Sequence, residues 1–176
     1  YELLRDTLDR EAIPFLLEKE STNCGNNATY ARDLFLEHGL EVSDILLIQD
    51  PTMQQRSHAS FVKAWQGMGV RFYSYAPFIP TYDRVQGLPW SKERFIGLIL
   101  GEMKRLSNTP DGYGPKGTGF IDEVDIPQSV EEAYRRLLQD DWVLSRSMRD
   151  QRRNTMEPLI YDRNAGTEDF MAAIPE

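Results

Sequence analysis

Two short polar segments contain the residues whose types and spacing are best suited to ligand chemistry. The first, residues 20–27, reads ESTNCGNN, and the second, residues 49–56, reads QDPTMQQR. Both carry carboxylate, amide and hydroxyl groups on short side chains, which bind ribose, phosphate or carboxylate groups when they lie beside free backbone N–H groups. The same residue types are also the ordinary N-caps of helices, so each segment alone equally fits a structural cap.

The elements around these segments predict a parallel α/β arrangement. Residues 45–48 are a continuous apolar run, which is typical of a strand buried on both faces of a parallel sheet. The spacing of apolar residues predicts a helix in residues 1–10, a strand at 12–17, a helix ending at Gly39, a strand at 44–49, a helix ending near Gly67 with Phe61, Val62 and Trp65 on its core face, and a strand at 70–75. Each polar segment therefore follows a predicted strand and opens a helix, where ligands bind in such sheets.

The rest of the chain has a different pattern. From about residue 77 a Pro- and Gly-containing loop leads to a predicted helix that is capped by Ser91 and has Phe95 and Met103 on its buried side. Residues 108–119 are rich in Gly, Pro and Asp and predict a loop, and a further helix follows around Val130. We expect residues 1–142 to form one domain, with a helical extension from about 77, and residues 143–176 to form a helical or irregular tail.

The expected fold class is a Rossmann-like parallel sheet with helices on both faces and C-terminal helical additions. Three strands make a small sheet compared with a typical sheet of about five to six, and the sequence begins in a predicted helix that should follow an earlier strand. We therefore expect the N-terminal part of the fold to lie outside this sequence.

Composition excludes several classes of protein. The 176 residues carry a net charge of -8, which repels the phosphate backbone of nucleic acids. A single Cys and two His residues exclude a disulfide framework and a zinc-type metal site. Because no apolar run reaches the length of a membrane span and no signal peptide is evident, we expect a cytoplasmic protein.

Three ordered segments resemble the YdcF-like family, the SanA/ElyC/YdcF domain of unknown function. They are the segments ESTNCG-x-NA from residue 20, QDPTMQ-x-R from residue 49 and DGYGPKG from residue 111, the last preceded by Gly101-Glu102 and Arg105-Leu106. The similarity covers about residues 10–140 and is closest to the family's name-giving member. The family resemblance implies a Rossmann-like domain that binds a nucleotide-type small molecule.

Carried over from the resemblance, the ligand site has two polar walls and a glycine-rich loop. The expected ligand-binding residues are Glu20, Ser21, Thr22, Asn23, Asn27, Asp50, Pro51, Thr52, Arg56, Tyr113 and Lys116. Arg56 fits either a ligand carboxylate or phosphate or a salt bridge to a nearby acid. The loop at 111–116 fits either a lid or a simple turn. Asn26 stands where the family usually has Glu, so an acid-base or cation-binding role at that position does not carry over.

The function that the resemblance implies is binding of S-adenosylmethionine or a related nucleoside, with no reaction assigned. One alternative is a transferase or phosphoester-type hydrolase that uses Asp50 or Glu20 as a base or metal ligand. Another is a non-catalytic assembly protein that forms a homo-oligomer through an exposed sheet edge. The catalytic residues stay unassigned, and we expect neither a resident metal ion nor a nucleic-acid partner.

Overall fold

A computed structural model describes residues 11, 14–76, 78–81 and 91–140 of the chain. Within this part the protein is a mixed α/β structure. Its elements are α1 (Cys24–Glu37), β1 (Asp44–Ile48), a 3₁₀ turn (Pro51–Met53), α2 (Gln54–Ala64), β2 (Arg71–Tyr75), α3 (Lys92–Leu106) and α4 (Gln128–Leu138). The helix predicted in residues 1–10, the start of the strand predicted at 12–17, most of the loop before Ser91 and the predicted tail at 143–176 lie outside the described residues.

Local sequence signals explain where the helices begin and end. The side chains of Asn23 and Ser91 cap α1 and α3 by accepting hydrogen bonds from backbone N–H groups of the first turn. Gly39 and Gly67 follow the ends of α1 and α2 and have φ angles of 63° and 85°. Glycine adopts this left-handed conformation without the steric penalty that a Cβ atom brings, so both helices can end at these positions without backbone strain.

The two strands pair in parallel, and helix α2 connects one to the other. Residues of β1 and β2 are in register from Asp44 opposite Arg71 to Ile48 opposite Tyr75. Helix α2 forms the crossover from β1 to β2 and packs against α1 on the same side of the sheet. This β-α-β unit is the arrangement that the alternating sequence pattern predicted.

Aromatic residues fill the space between the sheet and the two helices. Trp65 is 3 % exposed, and its ring packs edge-on against Phe35 and Phe72, with ring centroids 5.4 and 6.0 Å away. The indole N–H donates a hydrogen bond to the backbone oxygen of Ala28, 3.1 Å away, which satisfies its only polar group. Trp65 thus joins α1, the end of α2 and β2 in one core.

Among the described residues, helices pack against only one face of the sheet, so the predicted burial of β1 on both faces is not found in this part of the chain. Leu46 and Ile48 are 57 % and 67 % exposed, and their partners on β2, Tyr73 and Tyr75, are 52 % and 54 % exposed. The apolar run of β1 was read correctly as a strand, but only alternate residues such as Leu47 meet helices here. The predicted core position Val62 is also 44 % exposed.

The strand predicted at residues 12–17 is wrong for its described part. Residues 14–17 form no strand, and Phe15, Leu16 and Leu17 are 42 %, 40 % and 46 % exposed. A strand requires hydrogen bonds to a neighbouring strand, and the sheet formed by the described residues consists of β1 and β2. The helices predicted after Asn23, after the Asp50 turn, after Ser91 and around Val130 are confirmed. The strands predicted at 44–49 and 70–75 are also confirmed, each one residue shorter, as 44–48 and 71–75.

Candidate functional site

Polar side chains before α1 form a compact turn. The Glu18 carboxylate accepts hydrogen bonds from the backbone N–H groups of Glu20 and Ser21, at 2.5 and 2.9 Å. The Ser21 hydroxyl in turn accepts a hydrogen bond from the side-chain amide of Asn27, 3.4 Å away. Hydrogen bonding from Ser21, side chain first, holds the pKa of Glu18 below its ordinary value, so this carboxylate is charged at neutral pH.

The first turn of α1 begins directly after this segment. Asn23 has extended backbone angles, and its side-chain oxygen accepts a hydrogen bond from the backbone N–H of Asn26, 2.9 Å away. Thr22 is exposed beside it. Asn23 is therefore a true N-cap, as the cap interpretation of this segment predicted.

The polar turn after β1 is built on Asp50. One carboxylate oxygen of Asp50 accepts hydrogen bonds from both the backbone N–H and the hydroxyl of Thr52, at 2.8 and 2.6 Å. Pro51 is the first residue of the 3₁₀ turn, where its missing N–H removes no hydrogen bond. Gln54 opens α2 and donates from its side-chain amide to the backbone oxygen of Leu47. The turn is thus fastened to β1 itself.

The structure brings the beginnings of α1 and α2 together. The thiol sulfur of Cys24, the first residue of α1, lies 3.6 Å from the hydroxyl of Ser57, in the first turn of α2. Ser57 is buried and Cys24 is partly buried. Because α2 begins at the carboxyl end of β1, both polar turns lie at the same end of the sheet.

Arg56 forms a buried ion pair with Glu102 of α3. The guanidinium donates two hydrogen bonds to the two carboxylate oxygens, at 2.5 and 2.7 Å, and the side chains are only 4 % and 7 % exposed. Burial alone would lower the pKa of Arg56, but the hydrogen bonds and charge of Glu102 raise it above its ordinary value. Of the two roles predicted for Arg56, the salt bridge is the contact that the structure contains.

The glycine-rich loop, residues 108–121, packs onto this ion pair. The guanidinium carbon of Arg56 lies over the ring of Tyr113, 5.3 Å from its centroid, within the range of a cation–π contact. The Tyr113 ring meets the ring of Phe120 edge-on, with centroids 5.3 Å apart. Phe120 in turn lies against Gly25 of α1, where an added Cβ atom would be 2.3 Å from the ring.

Backbone hydrogen bonds and close glycine contacts give the glycine-rich loop a defined shape. The N–H of Tyr113 donates to the backbone oxygen of Arg105, and the N–H of Ile121 donates to the oxygen of Tyr113, at 2.8 and 3.0 Å. A Cβ atom on Gly117 would lie 2.0 Å from the backbone oxygen of Gly112. Such close approach of backbone to backbone requires glycine, which explains the composition of this segment.

The predicted site residues fall into three small groups. Ser21 contacts Asn27, Asp50 contacts Thr52, and Arg56 stacks on Tyr113. The remaining predicted residues are placed as follows: Glu20 and Thr22 are exposed, Asn23 caps α1, Pro51 opens the 3₁₀ turn, and Lys116 is exposed, with its backbone N–H bonded to the side chain of Asn108.

Sequence reasoning missed several residues that hold this end of the molecule together. They are Glu18, Ser57, Glu102 and Phe120, which contact the polar turns, Arg56 and Gly25. Only Glu102 had a signal in the sequence, because the Gly101-Glu102 pair belongs to the segment that resembles the YdcF-like family. The other three act through contacts that neither spacing nor composition indicates.

A separate cleft opens at the other end of the sheet. It has a volume of about 670 Å³ and lies among Leu36, Leu40, Val42, Trp65 and Met68, beside the starts of the strands and the ends of α1 and α2. None of the predicted site residues lines it. The described helices include none that is both long and apolar enough to cross a membrane, and no three metal-binding side chains converge among the described residues.

Comparison with known proteins finds a relative that matches part of the chain. The uncharacterized protein SCO4629 of Streptomyces coelicolor is 26 % identical to this chain over 122 residues, which is 69 % of this chain and 51 % of that protein. The chain therefore spans about half the length of that relative. No family model matches the chain.

Proposed function

We propose that this chain is a small-molecule binding domain of the YdcF-like type that takes S-adenosylmethionine or a related nucleoside at the carboxyl end of the sheet. The observation that carries the proposal is the contact between Cys24 and Ser57, at 3.6 Å, which joins the first turns of α1 and α2. Two polar turns thereby share one end of the sheet, where ligands bind in doubly wound α/β proteins.

The chemistry of the two turns fits such a ligand. The Asp50 carboxylate accepts two hydrogen bonds from Thr52, and a carboxylate has room for about four, so it keeps capacity to accept from ribose hydroxyls. The exposed hydroxyl of Thr22 adds a neutral donor and acceptor near α1. A net charge of -8 favours a ligand that carries a cationic sulfonium over one that carries several phosphates.

The uncovered face of the sheet supports the finer part of the fold proposal, a Rossmann-like sheet with helices on both faces. Parallel strands occur almost only in sheets with both faces covered, yet Leu46, Ile48, Tyr73 and Tyr75 are all more than half exposed. A large apolar patch of this kind marks a surface that meets other protein. We propose that β1 and β2 belong to a larger parallel sheet.

The proposal is tested by ligand-dependent stability of the full chain. Addition of S-adenosylmethionine at a hundred times its Kd should raise the free energy of unfolding by about 2.7 kcal/mol, measured by thermal or urea unfolding. Asp50→Asn keeps an acceptor for Thr52 but loses the charge, and we expect it to weaken binding about tenfold, the factor that corresponds to about 1.4 kcal/mol.

The matched control is Asp125→Asn, which removes the charge of an exposed carboxylate that precedes α4. Its ligand titration should match that of the unchanged protein. If S-adenosylmethionine leaves the unfolding curve of correctly folded protein unmoved, the proposed ligand is wrong. If Asp50→Asn binds as tightly as Asp125→Asn, the site does not include the turn after β1.

A further inference from the structure

We propose that Arg56 and Glu102 are positioning residues, whose ion pair fixes the glycine-rich loop against the first turns of α1 and α2. The inference rests on the proposed function in that this end of the sheet is taken as the binding site. It assigns Arg56 an indirect role, because a guanidinium that is 4 % exposed and bonded through two nitrogens to Glu102 holds protein groups in place.

The ion pair connects three parts of the chain. Arg56 lies in the first turn of α2 and Glu102 lies in the last half of α3, 46 residues further along. The guanidinium also stacks on Tyr113 of the glycine-rich loop. The side chain of Arg56 therefore links its own helix, α2, to α3 and to the glycine-rich loop.

The contact continues from the loop to α1. Tyr113 packs edge-on against Phe120, and Phe120 lies on Gly25 in the first turn of α1. At the far end of the loop, the side chain of Ile121 is 1 % exposed and its N–H is bonded to Tyr113. The loop is thus held as a wall beside both polar turns, which favours a fixed wall over the lid interpretation.

Energetics separate a positioning role from simple scaffolding. Replacing a buried ion pair with apolar residues of similar size is often neutral or stabilising, so we expect the fold to tolerate the joint replacement of Arg56 and Glu102. A methionine at residue 56 would fill the space but would lose the cationic stacking on Tyr113. The charged pair therefore contributes something that an apolar pair does not, namely the placement of the Tyr113 ring and of the loop behind it.

The decisive experiment compares the full chain with the double variant Arg56→Met/Glu102→Met by hydrogen exchange. We expect the unfolding midpoint to stay near that of the unchanged protein, while the amides of Tyr113, Thr118 and Ile121 exchange about tenfold faster, as the loss of a desolvated cation–π contact implies. Amides of α1 should exchange as before. Unchanged protection of the loop amides in the folded double variant would overturn the inference.

Three further variants keep the test decisive if the double variant does not fold. Tyr113→Leu removes the ring under the guanidinium and should release the loop, whereas Tyr113→Phe keeps the ring and should restore its protection. Lys63→Gln/Asp122→Asn removes an exposed ion pair between α2 and the residue after the loop, and it should leave the loop amides unchanged. Equal loop protection in Tyr113→Leu and Tyr113→Phe would overturn the inference.

A titration with S-adenosylmethionine separates this inference from the proposed function. If the unchanged protein binds and the folded double variant binds about tenfold more weakly at the same unfolding midpoint, the loop position serves the site. Equal affinities would overturn that role. If the unchanged protein does not bind, the proposed ligand is wrong, and hydrogen exchange alone then decides whether the ion pair positions the loop.

Discussion

Two arginine–carboxylate pairs with similar geometry lie at opposite ends of the sheet. Arg56 and Glu102 meet at the carboxyl end of β1 with side chains 4 % and 7 % exposed, whereas Arg71 and Asp44 meet at the start of the strands with side chains 70 % and 39 % exposed. Each arginine donates two hydrogen bonds to its partner. The comparison shows that solvent exposure, rather than the number of hydrogen bonds, decides how strongly the fold depends on such a pair.

Water is the alternative partner in only one of these regions. At the exposed pair, removal of Asp44 leaves an arginine that water solvates, so little stability is lost. At the buried pair, removal of Glu102 leaves a guanidinium with no solvent to replace its partner. Near that pair an added Cβ atom would collide with the Phe120 ring at Gly25 and with the backbone oxygen of Gly112 at Gly117.

The largest expected effect comes from breaking the buried pair on one side. Glu102→Ala should lower the free energy of unfolding by about 3 to 5 kcal/mol, because it strands the charge of Arg56 in the interior. Urea unfolding followed by circular dichroism measures the loss. Asp44→Ala is the matched variant at the exposed pair and should unfold almost as the unchanged protein does. Similar losses in the two variants would contradict the comparison.

A smaller effect is expected from the contact between α1 and the glycine-rich loop. Gly25→Ala places a Cβ atom 2.3 Å from the Phe120 ring, so the ring must move. Over-packing costs about 1 to 3 kcal/mol, partly offset by up to about 1 kcal/mol of better helix propensity, and we expect a net loss of about 1 to 2 kcal/mol.

The control for this substitution is Gly97→Ala in α3, where an added Cβ atom meets nothing within 4 Å. It should raise the free energy of unfolding by about 0.5 to 1 kcal/mol through helix propensity alone. Thermal unfolding of the two variants side by side measures the expected destabilisation by Gly25→Ala and the expected stabilisation by Gly97→Ala. A stabilising Gly25→Ala would show that Phe120 does not hold the loop on α1.

The smallest effect is expected at the exposed pair, and it is measured as the change of stability with pH in acid. Hydrogen bonding from Arg71 lowers the pKa of Asp44 to about 2, below the value of about 3.9 for a free Asp side chain. A lowered pKa contributes stability above about pH 4 and loses it as the pH falls toward 2. Asp44→Asn should therefore flatten the dependence of urea unfolding on pH in this window.

The flattening should be partial, because the pKa of Glu18 is also lowered and contributes in the same direction. Salt provides a second check, since an exposed pair is screened at high ionic strength. In 1 M NaCl the unchanged protein and Asp44→Asn should have nearly the same pH dependence. An unchanged slope between pH 4 and 2 in Asp44→Asn at low salt would contradict the assignment.

Much of the local structure could be predicted because it depends on near neighbours in sequence. Asn23 and Ser91 cap helices through bonds to residues three positions away, and Gly39 and Gly67 end helices through their own backbone angles. The apolar run at 45–48 predicted its strand correctly. Predictions failed where the outcome depends on a distant partner, as for residues 14–17 and for the exposed positions of β1.

In the candidate site, too, contacts between near neighbours in sequence could be predicted and contacts between distant residues could not. The turns at Ser21 and Asp50 are recognisable from composition, since their hydrogen bonds span six residues or fewer. The partner of Arg56 is 46 residues away, and no periodicity selects Glu102 among the acidic residues of the chain. The role of Phe120 depends on its meeting Gly25, which requires the whole fold to be in place.

The contact between Phe120 and Gly25 also has a consequence for the order in which the chain folds. Contacts between residues far apart in sequence close late and slowly during folding, after helices and neighbouring strands have formed. The wall beside the polar turns is therefore completed after the helices it rests on. A chain released before residue 120 has been synthesised would contain both turns and the ion pair, but would lack the ring that seats the glycine-rich loop on the first helix.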